Sequence, residues 1–202
     1  MINTGDEETR IDLLRHGEPV GGRRYRGQVD DALSEKGWAQ MWNVVGADPE
    51  WQQIVSSPLK RCSAFAASLA ESLALPVHLE PRFMEVGFGD WEGKTRDELD
   101  RLDPGQIARF YQDPVNNRPP GAEPLEEFTA RVQTAFNEIL ERFTGQSVLV
   151  VAHAGVIRAI LAYALEIPFA SMYRISVPTA GISRISTNRE RGFNFISHGN
   201  SQ

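Results

Sequence analysis

Ile11-Asp12-Leu13-Leu14-Arg15-His16-Gly17-Glu18 decides how this chain folds. Apolar residues run up to Leu14 and then give way to an arginine, a histidine and a glycine. That is the pattern of a buried strand that ends in a sharp turn. Gly17 is expected to let the chain turn without a Cβ clash. Ligands of an open α/β sheet sit beyond the carboxyl ends of its strands. His16 is therefore expected at the floor of a crevice, with Arg15 beside it. An imidazole can serve as acid, base or nucleophile near neutral pH, and an adjacent guanidinium points to an anionic target. Taken alone, the triplet also fits a histidine that falls at a strand end by chance.

A second strand ends alike. Ser147–Ala152 is apolar on both faces, as a central parallel strand should be, and it runs into His153-Ala154-Gly155 and an apolar helix reaching about Leu165. If the two strands are neighbours, two imidazoles share one crevice. Gln53–Ser56 reads as a shorter strand. Ser57-Pro58 after it predicts an N-cap and a proline at the first helical position, opening a helix to Leu73. Its first turn would offer N–H groups and Arg61 to the strand ends. Read alone, Lys60 and Arg61 better fit a solvated pair at an ordinary helix start. Two histidines and two arginines in one pocket are costly unless a multiply charged anion fills it. Phosphate is the natural candidate, because a guanidinium fork matches its oxygens.

The remaining elements follow from periodicity and punctuation. Ser34 predicts the N-cap of a helix to Val45, with Trp38, Met41, Trp42 and Val45 on one face and Asp48-Pro49 as its breaker. Residues 76–79 predict a third strand, and residues 82–93 a tight apolar and glycine-rich loop. Thr95 and Glu98 form a capping box, and Asp103-Pro104 predicts a further helix start. Residues 85–123 are expected to sit over the crevice as a small cap. Residues 124–143 predict a long amphipathic helix, and residues 182–186 and 193–197 a closing hairpin around 188–192. The whole reads as one domain, residues 1–202, with a loose polar start.

Composition narrows the class. A chain of 202 residues can bury a real core. A net charge of −6 gives no overall basic surface for nucleic acid. No apolar run is long enough for a membrane span, and the start lacks the features of a signal peptide. Cys62 is the only cysteine, which fits a reducing cytoplasm. The expected location is therefore cytoplasmic. Gly93-Lys94-Thr95 imitates the end of a P-loop, but Phe88 stands where that motif needs glycine. His16-Gly17-Glu18 suggests a zinc deaminase, but no paired cysteines exist to complete the metal site.

Leu14-Arg15-His16-Gly17-Glu18, Ser56-Ser57-Pro58-Leu59-Lys60-Arg61, Glu85 in an E-x-x-F-G-x-W-E-G context, and His153-Ala154-Gly155 occur in this order. Together they resemble the histidine phosphatase (phosphoglycerate mutase-like) superfamily. The resemblance implies a three-layer α/β/α fold with a mostly parallel central sheet carrying one antiparallel strand. It implies that His16 becomes phosphorylated, that Arg15, Arg61 and His153 hold the phosphoryl group, and that Glu85 donates a proton. No metal and no cofactor are implied. Without the resemblance Glu85 reads as a solvated loop carboxylate.

Phe88-Gly89-Asp90-Trp91-Glu92-Gly93 and residues 118–125 look like the α-ribazole phosphatase branch, although Ala122 and Pro124 depart from its pattern. Mutases carry an asparagine where this chain has Gly21-Gly22. Tyr25-Arg26-Gly27-Gln28 occupies the equivalent of their phosphate-contacting turn. Arg26, Gly27 and Gln28, with Ala154, are thus further substrate-binding candidates. The activity implied is hydrolysis of a small phosphorylated metabolite, with α-ribazole 5′-phosphate as one candidate. A mutase-type phosphoryl transferase and a non-catalytic phosphate-binding module are the alternatives. The partner expected is the small phosphorylated substrate, with no nucleic acid and no membrane, and a homodimer is left open.

Overall fold

β1 (Thr9–Arg15), β2 (Gln53–Ser56), β3 (Val77–Leu79), β4 (Ser147–Ala152), β5 (Ile182–Asn188) and β6 (Gly192–Gly199) form one sheet in the order β3-β2-β4-β1-β5-β6. The structure is a computed structural model and describes residues 8–46, 49–188 and 192–199. The first four strands are parallel to one another. β5 is antiparallel to β1, and β6 is antiparallel to β5. β5 alone therefore runs against the other five. The first residues of the chain, Asp48 and the tip of the closing hairpin lie outside the described residues.

Six α-helices accompany the sheet among the described residues: α1 (Glu35–Val45), α2 (Lys60–Leu73), α3 (Arg96–Leu102), α4 (Gln106–Gln112), α5 (Leu125–Arg142) and α6 (Ala154–Ala164). Alternation along the strands sorts the helices into layers, because successive side chains point to opposite faces. Ile11, Leu13, Val148 and Val150 pack with Phe128 and Phe136 of α5 and Ile160 of α6. Leu14, Leu149 and Val151 pack with Met41 of α1 and Phe65 of α2. Burying each such side chain contributes roughly 1.5–3 kcal/mol. Phe88, Trp91, Leu99 and Phe110 of the cap segment belong to the first of these cores. The cap is thus continuous with the body. No helix among the described residues is long and apolar enough to cross a membrane.

β1 and β4 are neighbours, with Arg15 in register with Ala152. The chain leaves β1 for α1 on one face and leaves β4 for α6 on the other. A crevice opens between the two strand ends, as it does wherever a sheet reverses its winding. His16 follows β1 and His153 caps α6, so both imidazoles stand at this opening. The His16 amide donates to the Ala152 carbonyl (3.0 Å), which fixes one strand end to the other.

Two expected helix starts are corrected, and the Cβ clash that Gly17 is expected to avoid is located. Gly17 does not adopt a positive φ. It is glycine because a Cβ there would lie 2.2 Å from the Gly37 carbonyl oxygen, while one on Gly37 would lie 2.1 Å from that of Glu18. The helix expected from Pro58 starts at Lys60 with Leu59 as N-cap and no side-chain cap; the Ser57 hydroxyl makes its short contact with a histidine (2.7 Å) and only a long one with the Leu59 amide (3.4 Å). The helix expected from Asp103-Pro104 starts at Gln106 after Gly105, whose φ is +82°. Asp103 spends its carboxylate on Arg109. The Ser34 cap and the Thr95–Glu98 capping box form as expected.

Asp12 is fully buried in mid-strand. Arg184 of β5 donates to both of its oxygens (2.6 and 2.7 Å) and the Trp51 indole to one (2.8 Å). A buried carboxylate is tolerated only with such partners.

Candidate active site

His16 is 7 % exposed at the crevice floor. Its Nδ1 lies 2.7 Å from the Gly17 carbonyl oxygen. A carbonyl can only accept, so Nδ1 carries the proton and Nε2 keeps a free lone pair. Burial holds its pKa well below the ordinary histidine value, and the charges of Arg61 and Arg15 push it the same way. The ring is therefore neutral and nucleophilic at Nε2.

His153 is the opposite tautomer. Arg61 donates from Nε to its Nδ1 (3.2 Å), so the ring proton sits on Nε2 and is donated to the Ser57 hydroxyl (2.7 Å). Burial, then Arg61, holds its pKa well down as well. The two rings meet edge to face, centroids 5.2 Å apart. His153 is fully buried beside His16. Cys62 lies beside it, with Sγ 3.6 Å from Nε2. Burial pushes that thiol up, so it stays protonated.

Arg61, 1 % exposed, also donates to the carbonyls of Val29 (2.6 Å) and Gly27 (2.7 Å). Arg15 donates to the Val177 carbonyl (2.6 Å), and its Nε is buried without a partner. Burial lowers the Arg15 pKa to about 10, which leaves it cationic at neutral pH. Neither arginine has a carboxylate within ion-pair distance among the described residues.

Glu85 reaches the site from the loop after β3. Its carboxylate accepts from the backbone amides of Val86 (3.0 Å) and Gly155 (3.2 Å). A Cβ on Gly155 would lie 2.2 Å from Glu85 Oε1, so the glycine makes room for this carboxylate. Ala154 opens α6 on the cavity wall, where a helix N-terminus favours an anion. The cavity has a volume of about 800 Å³.

Of the remaining candidates, Gly27 lines the cavity and turns its carbonyl to Arg61. Arg26 is buried and turned toward its own loop. Its Nε pairs with Asp31 (2.9 Å), and its Nη2 donates to the carbonyls of Val20 and Gly22. Gln28 is exposed, is not on the cavity wall, and ties the Glu85 carbonyl (3.4 Å) to the loop.

Sequence reading passes over several supports. Ser57 is one. Another is Arg131 of α5, which donates to both Glu123 oxygens (2.6 and 2.9 Å), to the carbonyls of Met84 (2.9 Å) and Glu85 (3.3 Å), and to that of Arg82. Glu123 also accepts from the Gly87 amide (3.0 Å). Both oxygens of Glu123 are thus engaged in holding the segment that presents Glu85. In the sequence Glu123, just before a long helix, reads instead as a candidate for the substrate mouth and as an alternative acid. His78 and His198, which have no partner in the sequence pattern, contact Gln53 (3.2 Å) and Ser183 (2.7 Å). Among the described residues, no three His, Cys, Asp or Glu groups cluster to hold a metal ion.

The depressed histidines make stability depend on pH. The folded chain keeps His16 and His153 neutral, and the unfolded chain restores their ordinary value of 6.5. Above that value neither state binds the protons, and stability is at its plateau. Below it the unfolded chain binds protons that the folded chain refuses, so stability falls with pH. Melting temperature should drop between about pH 7 and pH 5, and His16→Gln should make that drop shallower. An equal drop in both proteins would count against the assignment.

Sheet, switch-point crevice and paired imidazoles define a histidine-centred α/β protein with an anion pocket. The chain belongs to the histidine phosphatase superfamily, branch 1, whose family model matches residues 11–200. It is 36% identical over 180 residues to a bifunctional protein of Mycobacterium tuberculosis. That match takes in 87% of this chain and 49% of the relative, so the chain spans about half the relative's length. It is 32% identical over 174 residues to the adenosylcobalamin/α-ribazole phosphatase of Salmonella typhimurium, over 83% of this chain and 85% of that one. The solved structure of Bacillus stearothermophilus YhfR matches with a TM-score of 0.86 at 27% identity, over 96% of this chain and 98% of that one.

Proposed function

We propose that this protein hydrolyses phosphomonoesters of small metabolites through a phosphohistidine at His16, without a metal ion. The observation that carries the reading is the free lone pair on His16 Nε2, fixed by the Gly17 carbonyl, in a cavity with two arginines that lack carboxylate partners. In the first step Nε2 attacks phosphorus, the P–O ester bond breaks, and the leaving alkoxide takes a proton from Glu85. In the second, Glu85, now ionised, takes a proton from water as the water attacks phosphorus and the P–N bond breaks. Charge developing on the equatorial oxygens is met by Arg15, Arg61 and the Ala154 amide at the head of α6. His153 orients Arg61 by accepting from its Nε at Nδ1. α-Ribazole 5′-phosphate is one candidate substrate, supported by the likeness to the Salmonella enzyme.

The test is turnover of p-nitrophenyl phosphate and an alkyl phosphate in excess chelator, with free phosphate measured. Release at an undiminished rate is expected. Activity that vanishes in chelator and returns with a divalent ion would overturn the metal-free mechanism. Transfer to a second hydroxyl without phosphate release would make the protein a transferase.

A paired substitution tests the pocket. Arg61→Ala should cost about a hundredfold in kcat/KM, roughly 3 kcal/mol. Arg24 donates only to the Gly21 and Gly93 carbonyls at the surface and lies 4.0 Å from Glu98. Arg24→Ala should change the rate by less than about threefold. Equal losses, at equal melting temperatures, would remove Arg61 from the phosphoryl site.

A further inference from the structure

The cavity holds more positive charge than one phosphomonoester needs. Of the arginines on its wall, Arg24, Arg26 and Arg96 have carboxylates beside them in Glu98, Asp31 and Asp100. Arg15, Arg23, Arg61 and Arg158 have none within ion-pair distance among the described residues. A phosphoryl dianion answers Arg15 and Arg61. Arg23 is exposed, where water screens its charge. Arg158 is half-buried, one turn into α6 from the proposed phosphoryl site.

Arg158 is held in place. Its Nε donates to the Ile175 carbonyl (2.8 Å), and its guanidinium carbon lies 5.6 Å from the centre of the Tyr173 ring. Its Nη groups make no hydrogen bond among the described residues and remain available as donors. Arg15 and Arg158 line the same cavity. Tyr173 lines the same cavity, and its hydroxyl is buried without a partner. Arg118 stands close to that hydroxyl, but a guanidinium can only donate, so the phenolic proton still lacks an acceptor. Burial pushes Tyr173 up to about 12, so that proton is retained at neutral pH. Arg118 itself buries Nε and Nη1 without partners. Unanswered donors of one sign, gathered in a partly desolvated place, are costly unless an anion meets them.

We propose that Arg158, with the Tyr173 hydroxyl, forms a second anion subsite beside the phosphoryl site, and that the substrate is a phosphomonoester carrying a second anionic group, a carboxylate or a phosphate. This rests on the phosphatase reading above, and it sets aside α-ribazole 5′-phosphate, which carries no second anionic group, as the preferred substrate. The planar fork of Arg158 suits either group, and both are recognised by the same donors.

The experiment compares substrate pairs that differ in that group alone: 3-phosphoglycerate against glycerol 3-phosphate, and fructose 1,6-bisphosphate against fructose 1-phosphate. The wild-type protein should prefer the anion-bearing member of at least one pair by about tenfold or more in kcat/KM. The pair that shows the preference tells carboxylate from phosphate. Arg158→Gln should bring that preference to within about twofold, chiefly through KM. Arg158→Lys should retain part of it, and Tyr173→Phe should lower it less than Arg158→Gln.

Turnover of both members of each pair without preference overturns the subsite and leaves the phosphatase reading standing. No turnover of any phosphomonoester, p-nitrophenyl phosphate included, overturns both. Preference undiminished in Arg158→Gln removes Arg158 from the subsite. Should loss of the Ile175 contact unfold that variant, preference undiminished in both Arg158→Lys and Tyr173→Phe overturns the proposal.

Discussion

His16→Ala should form no phosphoenzyme and lose roughly 10⁴-fold or more in kcat/KM. The size of the loss follows from the covalent step. Without Nε2 the cavity floor loses its free imidazole lone pair, since the Nε2 of His153 carries a proton held by Ser57. Arg15, Arg61 and the Ala154 amide remain, so binding and charge stabilisation would leave a small residual rate. The wild-type protein, quenched during turnover of labelled substrate, should carry label that is lost in acid and kept in base. The alanine protein should carry none. Label that survives acid, or that persists after the substitution, assigns the chemistry to another residue.

Glu85→Gln should behave differently with different leaving groups. An alkoxide leaves badly and needs a proton, so phosphorylation of His16 by an alkyl phosphate should slow by roughly 10²–10⁴-fold. p-Nitrophenolate leaves readily without one, and its phosphorylation step should slow far less. Hydrolysis of the phosphohistidine still lacks its base, so the phosphoenzyme should accumulate. Rapid mixing should then show a burst of nitrophenol near one equivalent, followed by slow turnover. Glutamine preserves the shape of the carboxylate, and its one carbonyl oxygen can keep the contact with either the Gly155 or the Val86 amide but not both. Equal slowing of both phosphorylation steps, with no burst, would reduce Glu85 to a pocket-shaping role. Glu123 is then a poor substitute, because Arg131 and the Gly87 amide occupy its oxygens.

Patterns that depend on burial are legible in the sequence. β2 and β4 occupy the expected residues because a continuous apolar run has one stable home, between two layers of helices. The strand-end positions of His16 and His153 follow from those runs. Helix starts fail where a capping side chain has a stronger tertiary partner. Ser57 serves His153, and Asp103 serves Arg109. The short helix Phe169–Arg174, which carries Tyr173, has no period long enough to announce it. Nor can a sequence show which ring nitrogen of a histidine bears the proton, since that depends on a carbonyl and a guanidinium set in place by the fold. Arg26 and Arg61 look alike as loop and helix arginines. Only the structure separates one that pairs with Asp31 and staples its loop from one that, without a carboxylate, leans on His153.

The close approach of Gly17 and Gly37 divides the molecule into a part that can change and a part that cannot. Backbone meets backbone there with no room for a single methyl group on either side. The turn that carries His16 and the first turn of α1 are in effect one solid piece. A floor without slack cannot adapt its shape to a new substrate, by motion or by substitution. Adaptation is left to the rest of the lining, to which Tyr111, Arg158 and Tyr173 belong. Descendants of one such floor can therefore diverge in what they accept while the reaction beneath stays fixed.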